Sequence, residues 1–239
     1  MHNRIPHDAT TRFSNRVQDY VKFRPGYPLA IVELLRERYR LTPESVVADI
    51  GSGTGLLAQR FLENGNSVAG VEPNQEMRLA GEEFLAGYPK FRSVPASAES
   101  TTLPDQSIDL IAAGQAFHWF NPEPTRSEFQ RILKPNGIVA LVWNVRRTTG
   151  TQFLREYEAL LAEFGADYTK VIHRTITDAG QREVQDFFGP GCYTNHIIPD
   201  NFQYFDSDGL IGRALSASYM PTPGAPRFSE AIEALRALF

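Results

Sequence analysis

The sequence contains 239 residues, of which 42% are hydrophobic and 22% are charged, and its formal net charge is -4. This composition is typical of a globular protein with one large α/β domain or two small ones. The negative charge argues against nucleic-acid binding through a broad basic face, and the chain has no apolar run near the roughly 20 residues that a membrane span needs.

The polar N-terminal stretch and the single cysteine, Cys192, predict a cytoplasmic protein. The stretch MHNRIPHDATTRF lacks the apolar segment of a signal peptide, and one cysteine cannot form an internal disulfide. The histidines do not have the spacing of zinc ligands, so we expect no metal centre. They are His2, His7, His118, His173 and His196.

Hydrophobic periodicity predicts a helix over 29–39, preceded by the aromatic-rich segment FSNRVQDYVKFRPGYP. Five short β-like runs then alternate with helical patterns up to residue 144, which predicts a parallel sheet with crossover helices. The predicted strands are 45–50, 67–72, 91–96, 107–114 and 137–144, and the predicted helices between them are 54–63, 75–85 and 123–133. Beyond residue 144 we expect helices at 150–164, 178–188, 207–218 and 229–239, and an extended segment at 193–205.

Three glycines at alternate positions, Gly51, Gly53 and Gly55, follow the first predicted strand. In an open parallel sheet, ligands bind at this turn, where glycine lets them approach the backbone amides. A dinucleotide site would continue the pattern G-x-G-x-x-G, but position 56 is Leu56, which argues against a nicotinamide-dependent oxidoreductase. Asp49, two residues before the first glycine, disfavours a pyrophosphate and suits a ligand with an ammonium group.

Candidate ligand-binding residues also follow the next two strands. Glu72 ends the second strand, and its carboxylate can accept hydrogen bonds from both hydroxyls of a ribose, although it is alternatively a surface charge. Ala98 and Glu99 follow the third strand, where an adenine edge would lie. A nucleoside with a positively charged amino-acid tail describes S-adenosyl-L-methionine.

The ordered motifs VVADIGSGTG, GVEP, SAES, LPDQSIDLIAAGQAFHWF and LKPNGIVALVWN resemble the class I S-adenosylmethionine-dependent methyltransferases. More narrowly, they are similar to the type 11 small-molecule branch, which includes trans-aconitate methyltransferase-like proteins. The resemblance covers about residues 13–144, and SASYMPTPG at 216–224 is also similar.

The resemblance implies an α/β fold with a Rossmann-like, doubly wound, mostly parallel sheet and flanking helices. We expect a single domain over 1–239, with an N-terminal lid at 1–28, a cofactor-binding core at 29–144 and a C-terminal part at 145–239 that carries acceptor-site helices. Such folds end in an antiparallel pair of strands. The segment 193–205 supplies a candidate for the first, and no second strand is evident before Phe239, so we expect an incomplete pair.

The resemblance also implies the cofactor contacts. Asp49 and the glycine turn would hold the methionine moiety, Glu72 the ribose, and Met77 would pack near the adenine unless it only fills the core. Gly114 and Gln115 would form the floor beneath the sulfonium. The full predicted set is Tyr20, Arg24, Asp49, Gly51, Ser52, Gly53, Glu72, Pro73, Met77, Ala98, Glu99, Gly114 and Gln115.

His118, between Phe117 and Trp119, is the candidate general base, and the alternative is a packed, hydrogen-bonded histidine. A carboxylate acceptor needs no base, whereas a phenol, alcohol or amine does. The sequence lacks the Asn/Asp-Pro-Pro-Tyr/Phe motif of enzymes that methylate exocyclic amines of bases, so a small-molecule acceptor is favoured. The alternatives are a non-catalytic cofactor-binding partner protein and a methyltransferase that acts on protein or RNA.

Overall fold

The computed structural model describes residues 21–166, 168, 178–199 and 201–239. Their contacts divide them into two compact units. Residues 26–142 form the first unit, and residues 21–25 belong with the described residues after 142 in the second. The predicted elements distribute between them: the sheet lies in the first unit, and the C-terminal helices lie in the second.

The first unit contains a parallel sheet of five strands in the order β3-β2-β1-β4-β5. The strands are β1 (Val46–Ile50), β2 (Ser67–Val71), β3 (Phe91–Val94), β4 (Ile108–Gly114) and β5 (Leu133–Val142). Four of the five residues of β1 and of β2 are buried, as expected for parallel strands covered on both faces. This arrangement confirms the predicted Rossmann-like α/β fold.

Four helices of the first unit alternate with the strands as predicted: α1 (Ala30–Tyr39), α2 (Leu56–Glu63), α3 (Gln75–Phe84) and α4 (Pro122–Ile132). Asn74 caps α3 as its sequence position predicts, since its side-chain oxygen accepts a hydrogen bond of 2.9 Å from the backbone amide of Met77. Helix α4 begins with Pro122, whose fixed φ suits the first turn of a helix.

The strand order reverses at β1, because β2 and β3 extend to one side of it and β4 and β5 to the other. In register, Asp49 of β1 lies opposite Gly70 of β2 and Ala112 of β4. The carboxyl ends of β1 and β4 therefore mark the point of the sheet at which doubly wound folds bind ligands.

Strand β5 starts four positions earlier than predicted, directly after α4. The segment Lys134-Pro135-Asn136-Gly137, expected to end the helix, lies inside the strand. The register with β4 shifts there, from Ile108 paired with Leu133 to Leu110 paired with Ile138. The turn-forming residues therefore produce an irregular start to the strand, with Asn136 at a φ of 66°.

The second unit is helical, with α5 (Gln152–Phe164), α6 (Asp178–Phe188), α7 (Ser207–Leu215) and α8 (Phe228–Leu238). Thr151 and Asp206 cap α5 and α7 through their side-chain oxygens. These helices surround a hydrophobic core of their own, which includes Leu161, Met220 and Leu235.

The segment 193–205, predicted as extended and as a candidate for the first strand of a C-terminal pair, does not supply that strand: none of the residues described there, 193–199 and 201–205, belongs to a strand. The apolar side chains of Ile197, Phe202 and Tyr204 are 89%, 65% and 92% exposed. A strand is stabilised by a partner's backbone and a buried face, and this stretch pairs with no described strand.

Within the described ranges, no helix is both long enough and apolar enough to cross a bilayer.

Candidate functional site

The glycine turn after β1 adopts a backbone that few other residues tolerate. Gly51, Gly53 and Gly55 have φ values of 67°, 55° and 83°. The amides of Gly51 and Ser52 donate to the carbonyl of Val71 at 2.8 and 3.1 Å, so the turn is fastened to the end of β2. The predicted turn is therefore present.

Close packing is a second reason for two of these glycines. A Cβ atom on Gly51 would lie 2.6 Å from the Cβ of Ala116, and one on Gly55 would lie 2.5 Å from a methyl group of Leu85. At Gly53 the nearest atom to an added Cβ is the terminal methyl of Met77, at 3.2 Å. Gly53 is thus the position where the missing side chain leaves the most room beside the backbone.

Asp49 lies at the centre of this region and is 1% exposed. Neither of its carboxylate oxygens accepts a hydrogen bond from a described residue. Its pKa is raised to about 7: burial is the largest cause, the backbone amide of Ala58 lowers the pKa, and the negative charge of Glu72 raises it. A buried acid without a donor is costly in the free protein and favours a ligand that carries positive charge or donors.

Glu72, 8% exposed, joins the two turns that follow β1 and β2. Its Oε2 accepts from the amide of Gly53 at 2.9 Å, and its Oε1 accepts from the amide of Asn74 at 2.8 Å. Burial raises the pKa of this carboxyl, while both amides and Arg78 lower it. Because each carboxylate oxygen has two lone pairs, both retain an acceptor position for a ribose hydroxyl.

Met77, 4% exposed, lies in the first turn of α3 with its terminal methyl towards Gly53. The neighbouring Pro73 is exposed. Sequence reasoning missed Gly81 in the same helix, where a Cβ would lie 3.1 Å from the carbonyl oxygen of Gly53. A glycine inside a helix costs about 1 kcal/mol relative to alanine. A glycine within a predicted helix is therefore a sign in the sequence that close packing requires it.

Glu99 has a structural contact at the start of α4. Its Oε1 accepts a hydrogen bond of 2.8 Å from the amide of Asn121, the residue before that helix. Ala98 beside it is buried. Asp109, in the motif LPDQSIDLIAAGQAFHWF, also has structural contacts, since it accepts hydrogen bonds from the amide of Val46 and from Lys134, each at 2.8 Å. Val46 is the first residue of β1, so Asp109 lies at the amino-terminal edge of the sheet, opposite the candidate site.

Gly114 and Gln115 follow β4, and Gln115 has a φ of 56°. A Cβ on Gly114 would lie 2.5 Å from the hydroxyl of Tyr27, so the glycine permits this tyrosine to pack against the strand end. The predicted lid segment is divided: Tyr27 belongs to the first unit and Arg24 to the second, where Arg24 donates to the carbonyl of Ser216 at 2.8 Å. Tyr20, like His173 and Arg174, lies outside the described residues.

His118 is half-buried in a short 3-10 helix, Phe117–Trp119, which follows β4. Its ring centroid lies 4.9 Å from that of Trp119. Phe117 and Phe120 are 5% and 8% exposed and pack edge to face, so these two aromatic residues belong to the core. The described residues include no cluster of three or more His, Cys, Asp or Glu side chains that would hold a metal ion.

A methyltransferase domain family matches residues 48–141, the segment that carries the glycine turn, Asp49, Glu72 and His118. An uncharacterized methyltransferase from Mycobacterium tuberculosis is 34% identical over 235 residues, which cover 97% of this chain and 86% of that protein. The chain belongs to the class I S-adenosylmethionine-dependent methyltransferases. This membership confirms the predicted family and the predicted cofactor, S-adenosyl-L-methionine.

Other relatives match over part of their length. An uncharacterized methyltransferase from Schizosaccharomyces pombe is 35% identical over 56% of this chain, and the chain spans about half of that relative, 53% of its length. The structure of a candidate type II methyltransferase from Anaeromyxobacter dehalogenans superposes with a TM-score of 0.58 at 25% identity, over 90% of this chain and 89% of the other. The common fold therefore extends beyond the family segment at 48–141.

Proposed function

We propose that this protein transfers a methyl group from S-adenosyl-L-methionine to a small-molecule acceptor that carries a carboxylate or a hydroxyl. The observation that carries the proposal is Asp49, a buried carboxylate without a hydrogen-bond donor beside a turn of backbone amides. A ligand with an ammonium group and a carboxylate suits this pair of features, since the acid would attract the first and the amides the second.

The residues present fit the cofactor. Asp49 and the backbone of Gly51, Ser52 and Gly53 would hold the methionine moiety, and Glu72 would accept from the ribose with its remaining lone pairs. Met77, Ala98 and Glu99 would lie at the adenine. When bound, S-adenosyl-L-methionine supplies an electrophilic methyl group on a sulfonium, so the chain mainly has to orient the acceptor. Such orientation can supply about 7–11 kcal/mol of the barrier.

The acceptor class determines whether a base is needed. A carboxylate is already ionised at neutral pH, whereas a hydroxyl must lose a proton, which His118 would take. The acidic net charge of -4 supports a small molecule over RNA, because nucleic-acid binding requires clustered positive charge. The alternatives are a methyltransferase that acts on protein or RNA and a partner protein that binds the cofactor without using it.

Isothermal titration with S-adenosylhomocysteine tests the cofactor assignment. We expect Glu72→Ala to weaken binding about a hundredfold and also to lower the free energy of unfolding, because the amides of Gly53 and Asn74 lose their acceptor. The matched control is Glu83→Ala, an exposed acid in helix α3, which should change neither quantity. Unchanged affinity in Glu72→Ala would remove the ribose assignment, and binding of NAD or NADP in place of S-adenosylhomocysteine would remove the proposed cofactor.

The acceptor is tested with methyl-labelled cofactor and a fractionated extract of small metabolites. We expect label to enter an acidic or hydroxylated compound. Tight cofactor binding with no transfer to small molecules, protein or RNA would favour the non-catalytic partner protein.

A further inference from the structure

The two edges of the parallel sheet differ in how they are protected from pairing with another chain. Strand β3, at one edge, has only four residues, and the side chains of Lys90 and Arg92 in and beside it are exposed. Short length and charged side chains both discourage an edge strand from pairing with another strand. Strand β5, at the other edge, has ten residues.

The protection of β5 is confined to its first residues. Lys134, Pro135 and Asn136 lie there, and the register with β4 shifts between Leu133 and Ile138. The stretch 138–142 that follows has the sequence IVALV, which contains no charge, proline or glycine, and all five residues are half-buried. Branched apolar residues favour strands, so 138–142 is an edge segment that can accept a further strand.

The hydrogen bonds to β4 show which backbone groups of this stretch point outwards. The amide of Gln115 donates to the carbonyl of Val142 at 2.9 Å, so Val142 directs its backbone groups towards β4. Successive residues of a strand alternate in this direction, so Ala140 also faces β4 while Val139 and Leu141 face away from it. Within the described ranges the sheet has no strand beyond β5, and the amides and carbonyls of Val139 and Leu141 have no backbone partner.

The sequence of this stretch is complementary to itself. If two copies pair antiparallel about a twofold axis at Ala140, this alanine faces its own counterpart, Val139 faces Leu141, and Ile138 faces Val142. An apolar side chain then lies opposite an apolar side chain at every position. Because Val139 and Leu141 carry the outward backbone groups, they form hydrogen-bonded pairs in which both N–H···O bonds are made.

The charges at the two ends of the stretch permit this arrangement. Antiparallel pairing brings Lys134 of one copy towards Arg146 of the other, and two cations facing each other would oppose association. Each of them already has an acid in its own chain, since Lys134 pairs with Asp109 at 2.8 Å and Arg146 pairs with Glu158. The like charges are therefore compensated.

We propose that two copies of this chain form a dimer in which their 138–142 stretches pair antiparallel about Ala140, so that the two sheets become one. The contact is small, and interfaces below about 1,200 Å² are typical of weak complexes. We therefore expect a monomer at about 1 µM protein and mainly a dimer at about 100 µM. The inference is independent of the proposed function.

Sedimentation velocity of the wild-type protein over this concentration range tests the dimer. Val139→Pro removes an outward amide that β4 does not use, and we expect it to weaken association at least about tenfold. Ser93→Pro on the β3 edge is the matched control. The carbonyl of Val94 accepts from the amide of Glu72 at 3.1 Å, so the neighbouring amide of Ser93 also points outwards, and its loss should leave association unchanged.

Cysteine cross-linking tests the register, in a Cys192→Ser background that removes the native cysteine. Facing residues of a non-hydrogen-bonded antiparallel pair have Cα atoms about 4.5 Å apart, within the reach of a disulfide, so Ala140→Cys should give a linked dimer after mild oxidation. Ile138→Cys is the control, because the two copies of position 138 would lie about 13 Å apart and should not link. A non-reducing gel provides the measurement.

Three outcomes would overturn the proposal. They are a wild-type protein that is monomeric at about 100 µM, a dimer that Val139→Pro does not weaken, and a dimer that Ala140→Cys fails to link or links no better than Ile138→Cys. The last would mean that another surface or register joins the copies. Circular dichroism shows whether each variant is folded, and the cross-link at position 140 provides the test if Val139→Pro is not.

Discussion

The two units leave polar groups of opposite charge without partners. In the first unit the buried groups without a hydrogen-bond partner among the described residues include an acid, Asp49, beside a second acid, Glu72, that already accepts from two amides. In the second unit the group is a cation, Arg213, whose charged form is disfavoured by burial and by the positive charge of Arg24. Buried polar groups are normally satisfied within the fold, so the exceptions indicate ligands, and their charges indicate which ligands. The acidic exception supports the proposed cofactor, because a buried carboxylate attracts an ammonium group.

The largest expected effect comes from Asp49→Asn, which tests the acidic exception. Since the pKa of Asp49 in the folded protein, about 7, lies above its ordinary value of 3.8, the folded state holds a proton that the unfolded chain has lost. Stability therefore falls as the pH rises from about 4 to 7. The loss is about 1.4 kcal/mol for each pH unit. The free energy of unfolding of Asp49→Asn should therefore exceed that of the wild-type protein by about 4 kcal/mol at pH 8, as measured by urea unfolding without cofactor.

Asp109→Asn is the matched control for that experiment, because Asp109 has two donors in the fold. Asp109→Asn should be less stable than the wild-type protein at pH 8, whereas Asp49→Asn should be more stable. The same Asp49→Asn protein should bind S-adenosylhomocysteine more weakly. If Asp49→Asn were not more stable than the wild-type protein at pH 8, Asp49 would not be a buried charge without a partner. The contrast between the two units would then no longer hold.

A smaller effect of the same sign is expected for Arg213→Met in the second unit. Its pKa is lowered, so the charged form is destabilised in the folded state, and removing the charge should increase the free energy of unfolding by about 1 kcal/mol at pH 7. Arg146→Met is the control, since it leaves Glu158 without its cation and should be destabilising. A less stable Arg213→Met protein would mean that this arginine serves the fold and not a ligand.

The smallest effect is expected for His118→Ala. If the acceptor is a carboxylate, no proton has to be removed, and kcat at saturating cofactor should fall less than tenfold. Steady-state rates at pH 6 to 9 provide the measurement. A loss of a hundredfold or more, with the pH dependence of a single base, would establish His118 as the general base and point to a hydroxyl acceptor.

The sequence predicted the first unit closely, because its signals are local. Strand runs, the cap at Asn74 and the glycines with positive φ each follow from a few neighbouring residues. The position of Glu72 after the second strand likewise follows from chain order. Its two hydrogen bonds do not, since the partner amides at Gly53 and Asn74 lie in different turns.

The second unit was predicted less well, because its features depend on contacts between distant segments. Helices such as Asp178–Phe188 are periodic and were found, but the strand expected at 193–205 needs a partner that no described segment supplies. Arg24 donates to the carbonyl of Ser216, which is 192 positions away in the sequence, and nothing in the residues around either one indicates this contact. Local reasoning also does not reveal that Glu99 and Asp109 accept hydrogen bonds from the backbone amides of Asn121 and Val46, which lie in other segments.

The double attachment of Glu72 has a consequence for how the cofactor site responds to acid. Protonation of this carboxyl would weaken its hydrogen bonds to the glycine turn and to the start of α3. It would also remove acceptor capacity at the ribose position. The conformation of the turn and the binding of the nucleoside are thus lost together when Glu72 is protonated. Partial acidification should therefore give a mixture of molecules that bind the cofactor and molecules that do not, with few of intermediate affinity.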